Sequence, residues 1–210
     1  MAKKPIKDYP QISLDSAKLT GQVDFNDIFG RNADVHIEIG SGKGTFLLAQ
    51  AKAFPDINFL GIEWARKYYR LAVDRIGRWQ LDNVRIICTD AADFLTESTP
   101  DASVSWFHIY FPDPWPKKRH HKRRFLCREN MAGILRCLKK NGRINIATDH
   151  ADYYQQIKEV IDAKLKTGEL KTVKFTPAAG ALREEVAGTN YERKYIKDGR
   201  PIYTVAAQKQ

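Results

Sequence analysis

The chain has 210 residues, 43% of them hydrophobic, enough for one sizeable core and no demand for a second domain. No run approaches the roughly 18 apolar residues of a membrane span, and Met1-Ala2-Lys3-Lys4-Pro5 leads into no hydrophobic signal segment, so the expectation is a soluble, cytoplasmic protein with no membrane partner. A formal charge of +10 points to a polyanionic partner, while three widely spaced cysteines, Cys88, Cys127 and Cys137, argue against a disulfide framework or a structural metal.

Residues 1–30 mix Pro, Asp, Gly and Lys without clear periodicity and read as an N-terminal arm, ordered or partly disordered, ahead of a single domain over residues 31–210. From Val35 onward short β-branched runs alternate with helical patterns: a strand at Val35 to Ile39, a helix at Thr45 to Ala53, a strand at Ile57 to Ile62, a helix at Ala65 to Trp79. Strands follow at Val84 to Cys88 and Val104 to Phe111, then a helix from about Phe125 to Leu138. The Asn141-Gly142 turn signal leads into a strand at Arg143 to Ala147. A helix at about Tyr153 to Leu165, a strand near Leu170 to Phe175 and a closing strand at Pro201 to Ala207 complete the series. The rhythm predicts an α/β fold with an open, doubly wound, mostly parallel sheet and an antiparallel C-terminal strand.

Glu38-Ile39-Gly40-Ser41-Gly42-Lys43-Gly44 follows the first of these strands and opens a helix, the place where an α/β sheet lets backbone approach a nucleotide-like ligand. The Gly-x-Gly-x-Gly spacing of Gly40, Gly42 and Gly44 lacks the extra residue of a dinucleotide fingerprint. An acid two places before the first glycine suits an ammonium, held directly or through water, and would repel a pyrophosphate, so S-adenosyl-L-methionine is favoured over NAD. Glu63 ends the next strand, where an acid accepts from ribose hydroxyls, and Asp90 ends the third, where it can accept from an adenine amino group. Either acid alone also reads as a loop acid or helix cap. Together these residues look like the cofactor half of a Rossmann-like class I methyltransferase.

Phe111-Pro112-Asp113-Pro114-Trp115-Pro116 follows the fourth strand. Three prolines fix φ and stiffen the loop that carries Asp113, and Trp115 either supports a base or packs. Six of the next eight residues, Lys117 to Arg124, are Lys or Arg; standing between core elements, this run reads as a phosphate-binding footprint, whereas at a terminus it would read as a solvated tail. His36, His108, His120, His121 and His150 show no metal-recruiting spacing and read as structural or solvated, and Glu184-Glu185 reads as surface.

From about Ile37 to Tyr203 the chain resembles the bacterial tRNA guanine-N7 methyltransferase family. That resemblance implies methyl transfer from S-adenosyl-L-methionine to N7 of a tRNA guanine, guanine 46 of the variable loop, with tRNA as partner and no obligate protein partner. It implies a cofactor and active site lined by Glu38, Glu63, Asp90 and Asp113, with Asp113 catalytic. It further implies substrate contacts at Lys117, Asp149 and the Thr189-Asn190-Tyr191-Glu192 element, and RNA contacts at Arg119, His120, His121, Lys122, Arg123 and Arg124. His121 stands where relatives often carry another polar residue, and the region before Val35 is shorter and less matched than in some relatives. Guanine N7 has a lone pair and no proton to lose, so the reaction needs positioning and charge stabilisation and not a strong base. Asp113 would orient the base, with Asp149 and Glu192 as acceptors for its N1–H and amino group. Three alternatives stay open: an amino-methyltransferase using Asp113-Pro114-Trp115 on an exocyclic amine, a non-catalytic RNA-binding subunit, and an NAD-dependent oxidoreductase.

Overall fold

Strands such as Val35–Ile39 and Asn58–Ile62 carry buried side chains on both faces, and such strands are stable only inside a sheet covered on both sides. The computed structural model describes residues 5–210, apart from the side chain of Asn190; residues 1–4, the outer end of the expected arm, lie outside the described residues. The elements are β1 (Ser13–Leu14), α1 (Phe25–Phe29), β2 (Val35–Ile39), α2 (Thr45–Ala53), β3 (Asn58–Ile62), α3 (Arg66–Gly77), β4 (Val84–Ile87) and α4 (Ala91–Asp93), which runs into a π turn at Phe94–Ser98. After them come β5 (Val104–Tyr110), a 3-10 turn at Lys118–Arg123, α5 (Arg128–Cys137), β6 (Leu138–Thr148), α6 (Ala151–Lys166), β7 (Leu170–Thr172), α7 (Asn190–Lys197) and β8 (Tyr203–Lys209).

The strands form one sheet in the order β1-β4-β3-β2-β5-β6-β8-β7, parallel except for β8, which runs antiparallel to both its neighbours. The fold is therefore α/β and doubly wound, as the sequence pattern predicts. Phe46 and Leu47 of α2 and Ala72 and Ile76 of α3 pack with Phe59 and Ile86 on one face. Phe25 and Phe29 of α1, Ile134 of α5 and Ile157 of α6 pack with Ile37, Phe107 and Ile144 on the other. Chain direction across the sheet reverses between β2 and β5, and the carboxyl ends of these adjacent strands open a crevice where α/β folds bind ligands.

Three local differences from the sequence reading have physical reasons. The helix expected from about Phe125 begins at Arg128, because Leu126 N–H donates to Tyr153 Oη (2.9 Å) and the Asn130 side chain donates to Phe125 O (2.7 Å), holding residues 125–127 in a bend outside the helix. The Asn141-Gly142 signal does not separate two elements: it makes an irregularity within β6, where pairing jumps from Val104↔Leu138 to Trp106↔Arg143 and Asn141 adopts φ 63°. The Thr189–Glu192 stretch, expected only as a substrate element, forms the N-cap and first turn of α7.

Among the described residues of the first thirty, Ile12, Val23, Phe25 and Phe29 are buried and anchor the segment to the domain. Ile12 is fully buried, β1 pairs with β4, and Tyr9 lies so flat on α3 that a Cβ at Gly77 would meet its Cγ at 2.1 Å. Asp24 caps α1 through Asn26 N–H (2.7 Å), and Gly30 ends it in the left-handed conformation at φ 70°. Ile12→Ala should therefore lower unfolding free energy by about 3 kcal/mol in a denaturant titration; a loss below about 0.5 kcal/mol would mean that this segment contributes little to the core.

Candidate active site

The turn after β2 needs its glycines for conformation: Gly40, Gly42 and Gly44 have φ of 77°, 54° and 67°, a region that side chains rarely adopt. Gly40 and Ser41 N–H donate to Ile62 O (2.9 and 3.1 Å), Gly44 N–H to Ser41 O (2.9 Å), and Gly42 N–H to Glu63 Oε2 (2.7 Å). With those donors engaged within the chain, the turn offers a ligand the bare backbone of Gly40 and Gly42 together with the side chains of Ser41 and Lys43. The turn can sit this low because β3 has glycine beneath it: a Cβ at Gly61 would meet Leu47 Cδ1 at 2.3 Å and Ser41 Cβ at 3.0 Å.

Beside the turn lies a cavity of about 230 Å³, walled by Glu38 and Tyr110 of the sheet and Phe46 of α2 and closed by Tyr191 and Lys194 of α7. Glu38 pairs in register with Gly61 on one side and His108 on the other. It is 4% exposed, and its Oε2 has no partner; Ser41 Oγ, on the same cavity, has none either. Burial, and then the neighbouring Glu63, pushes the Glu38 carboxyl well above the usual carboxylate range. Tyr110 Oη lies 3.0 Å from His108 Nδ1, and His108 Nε2 lies 3.3 Å from His36 Nδ1. Burial holds His36 down to about 4 and lowers His108 as well, so both rings are neutral and belong to the core.

Glu63 is buried and accepts from Gly42 N–H through Oε2 and from Ala65 N–H through Oε1 (2.8 Å), each oxygen keeping a further lone pair. Burial raises its carboxyl, those two hydrogen bonds lower it, and the charge of Asp113 raises it again. Glu38, Glu63 and Asp113 are thus one electrostatic group. Asp90 stands at the end of β4 and caps α4, Oδ1 accepting from Ala92 and Asp93 N–H (2.8 and 3.3 Å).

The loop carrying Asp113 is fixed at both ends. Phe111 and Trp115 take φ of 51° and 42°, left-handed values that cost of order 1 kcal/mol each unless the surroundings hold them. Phe111 N–H donates to Ala147 O (2.7 Å), and Arg124 Nε donates to Pro114 O (2.8 Å). Arg124 stands apart from the rest of the basic run. Only 2% exposed, it also donates to Gln156 Oε1 (2.9 Å) and Asp152 Oδ2 (2.5 Å) and lies over the Tyr153 ring, so it fastens the loop to α6 and does not face solvent. Lys117, Lys118, Arg119, Lys122 and Arg123 are exposed, with Arg123 over the Trp115 ring and His120 at its edge. His121 Nε2 lies 3.6 Å from Asp152 Oδ2.

At α7, Thr189 caps the helix by accepting from Glu192 N–H (3.1 Å). Glu192 is fully buried and its carboxylate accepts from the N–H groups of Val186 (2.5 Å), Ala187 (3.0 Å) and Gly188 (2.7 Å), engaging it within the chain. The Asn190 side chain lies outside the described residues. Tyr191 is 46% exposed, and the neighbouring Tyr68 hydroxyl of α3, and then burial, push its phenol up to about 12. Asp149 Oδ2 accepts from Arg200 Nη1 (2.9 Å), Arg200 lies over Tyr195, and the Tyr195 ring meets Phe111 edge-on. Glu185, expected at the surface, is buried and ion-paired with Arg193 (2.8 Å), while Glu184 is exposed. Tyr110, Tyr195 and Arg200 were not singled out in the sequence; for α7 the Thr189-x-x-Glu192 capping box was the available signal.

A family model described as "Putative methyltransferase" matches residues 32–205. Similar curated proteins include the tRNA (guanine-N(7)-)-methyltransferases of Rhodopirellula baltica (33% identical, covering 97% of this chain and 78% of that one), Geobacillus thermodenitrificans (35%, 98% and 93%) and Streptococcus sanguinis (31%, 98% and 95%). Among solved structures, a 30S ribosomal A1408 methyltransferase from an uncultured bacterium matches with a TM-score of 0.57 at 18% identity over 92% of this chain and 97% of that one. A SAM dependent methyltransferase from Aquifex aeolicus matches with a TM-score of 0.53 at 13% identity over 88% and 87%. At these identities the two structures establish a shared fold.

A carboxyl raised by folding stabilises the protein below its unfolded value and loses that contribution as pH rises through the folded one. Glu38→Gln should therefore melt at a higher temperature than the parent at neutral pH, with the difference vanishing as pH falls to about 4.5; a difference independent of pH would count against a buried, desolvated Glu38.

Proposed function

We propose that this chain, which belongs to the tRNA (guanine-N7-)-methyltransferase family, transfers a methyl group from S-adenosyl-L-methionine to N7 of a guanine in tRNA, guanine 46 of the variable loop. The observation that carries the reading is the buried, unpartnered Oε2 of Glu38 on the cavity beside the glycine turn, a few residues from the strand ends that bear Glu63 and the Asp113 loop. An ammonium supplies the hydrogen bonds and charge that this oxygen lacks. Adenosylmethionine brings that ammonium together with a sulfonium whose methyl is electrophilic.

Each acid then has a task set by its surroundings. Glu38 holds the ammonium. Glu63, with its orientation fixed by Gly42 and Ala65 N–H, accepts from the ribose hydroxyls through its remaining lone pairs. Asp90 accepts from the adenine amino group with Oδ2, since Oδ1 is engaged in the α4 cap. Asp113, exposed on a loop held by Arg124 and the Ala147 carbonyl, orients the guanine and stabilises the positive charge that moves onto the purine. Asp149, one oxygen on Arg200, offers the other to the base. Glu192 we assign to holding residues 186–188 under α7, because its carboxylate already takes three N–H groups. Lys117, Arg119, His120, His121, Lys122 and Arg123 grip the phosphates, with Thr189 and Tyr191 on the α7 side of the pocket.

Unmodified tRNA transcripts incubated with methyl-labelled adenosylmethionine should be labelled at one variable-loop guanine, mapped by nucleoside analysis and by aniline cleavage at N7-methylguanosine. Asp113→Ala should lower kcat at least about 100-fold with cofactor Kd within about threefold. Label on an exocyclic amine, or equal loss of turnover and cofactor binding in the variant, would overturn the assignment.

A further inference from the structure

β5 and β6 are adjacent and parallel, and the segments leaving their carboxyl ends carry the two acids assigned to the base: Tyr110 pairs with Ala147, Asp113 lies three residues beyond the first and Asp149 two beyond the second. Phe111 N–H to Ala147 O (2.7 Å) is the outermost backbone hydrogen bond between the two segments among the described residues. Beyond it one segment enters the proline loop and the other enters α6. Among the described residues, every hydrogen bond that ties residues 112–116 to residues 149–156 passes through the Arg124 guanidinium. Nε donates to the carbonyl of Pro114, the neighbour of Asp113, while Nη2 donates to Asp152 in the first turn of α6, three residues from Asp149, and Nη1 to Gln156 one turn further on. The Tyr153 ring lies against the guanidinium at 4.9 Å, and its Oη takes the Leu126 N–H, so the same helical turn grips the chain on both sides of residue 124.

Space filling does not account for an arginine here. A buried guanidinium loses its hydration, and an apolar side chain of similar volume would pack between loop and helix without that loss. What the guanidinium alone supplies is a rigid plane of donors that fixes three oxygens relative to one another; a lysine ammonium on a flexible stem does not. RNA does not account for it either. The side chain is 1% exposed and Nε, Nη1 and Nη2 all donate within the chain, which leaves no edge for a phosphate, whereas Lys122 and Arg123 beside it are exposed.

We propose that Arg124 is a positioning residue for methyl transfer and not an RNA contact: it braces the Asp113 loop against the first turn of α6 and so sets the separation of Asp113 from Asp149, the two acids that hold the guanine for in-line attack. The inference rests on the methyl-transfer reading above, and the test separates the two claims. Arg124→Lys, Asp152→Asn, Lys122→Gln, Asp113→Ala and the double variant Asp113→Ala/Arg124→Lys would be compared with the parent after melting curves. The Asp152 side chain is 60% exposed, so Asp152→Asn weakens the brace without opening the core and carries the test if Arg124→Lys does not fold. Binding of unmodified tRNA transcript is measured over a range of salt, adenosylmethionine binding by calorimetry, and methyl transfer in a single turnover with tRNA and cofactor saturating. Arg124→Lys should slow transfer about 100-fold and Asp152→Asn about tenfold, while tRNA Kd, its salt dependence and cofactor Kd stay within about twofold of the parent. Lys122→Gln, the reference for a lost phosphate contact, should lower the slope of log Kd against log salt by about 1. With Asp113 already removed, Arg124→Lys should slow transfer by no more than about threefold further, because it acts through that acid. A salt slope that falls in Arg124→Lys as it does in Lys122→Gln would make the arginine an RNA contact and overturn the proposal. Equal slowing with and without Asp113 would reduce it to general support of the fold, and transfer at the parent rate in Asp152→Asn would also defeat it. A parent that transfers no methyl to tRNA would overturn the proposed function, and the brace with it.

Discussion

The turn after β2 lies directly on Gly61 of β3, close enough that a methyl group there would collide with Leu47 and Ser41. That approach lets Gly40 and Ser41 donate to the Ile62 carbonyl and brings Gly42 within reach of Glu63, so the glycine turn and the second acid are locked to each other by backbone. Register places Glu38 beside Gly61, at the bottom of the space the turn encloses. One absent side chain in β3 therefore underlies the geometry of the turn, the orientation of Glu63 and the depth at which Glu38 is buried.

Depth governs the electrostatics. Burial raises Glu38 and Glu63, and the charge of Glu63 adds to the first and that of Asp113 to the second. Among the described residues no cation pairs with either. Histidines on the same face do not compensate, since burial keeps His36 and His108 uncharged. Where the chain does use buried charge structurally, it pairs it fully: Arg124 has three acceptors, and Glu185 has Arg193. Carboxyls that are buried and unpaired are thus set apart from the paired ones, and they lie together at the crevice between β2, β3 and β5.

Between Val35 and Lys166 the strands and the longer helices were legible from their apolar pattern, α4 and its π turn were not, and the acids were legible because they sit at strand ends that the pattern locates. What the sequence did not reveal depends on partners distant along the chain. Ile12 and Tyr9 have no periodicity of their own and are ordered by β4 and α3. Arg124 looks like its basic neighbours until α6 supplies Asp152 and Gln156 and the loop supplies the Pro114 carbonyl. Glu192 looks like a free acid next to a pocket, yet the turn at residues 186–188 presents it with three N–H groups. Local pattern fixes which elements form; which charged side chains remain free is settled only by packing.

The outer strands of the sheet are its shortest, β1 with two residues and β7 with three, one of them Lys171. A sheet grows by templating another backbone along an open edge, and edges this short offer only two or three residues to a newcomer. β1 covers Ile86 and Ile87 of β4, and β7 covers Ala207 to Lys209 of β8. Addition of a further chain strand by strand, the route to fibres, therefore finds only a short template on either outer strand of the sheet that carries the site.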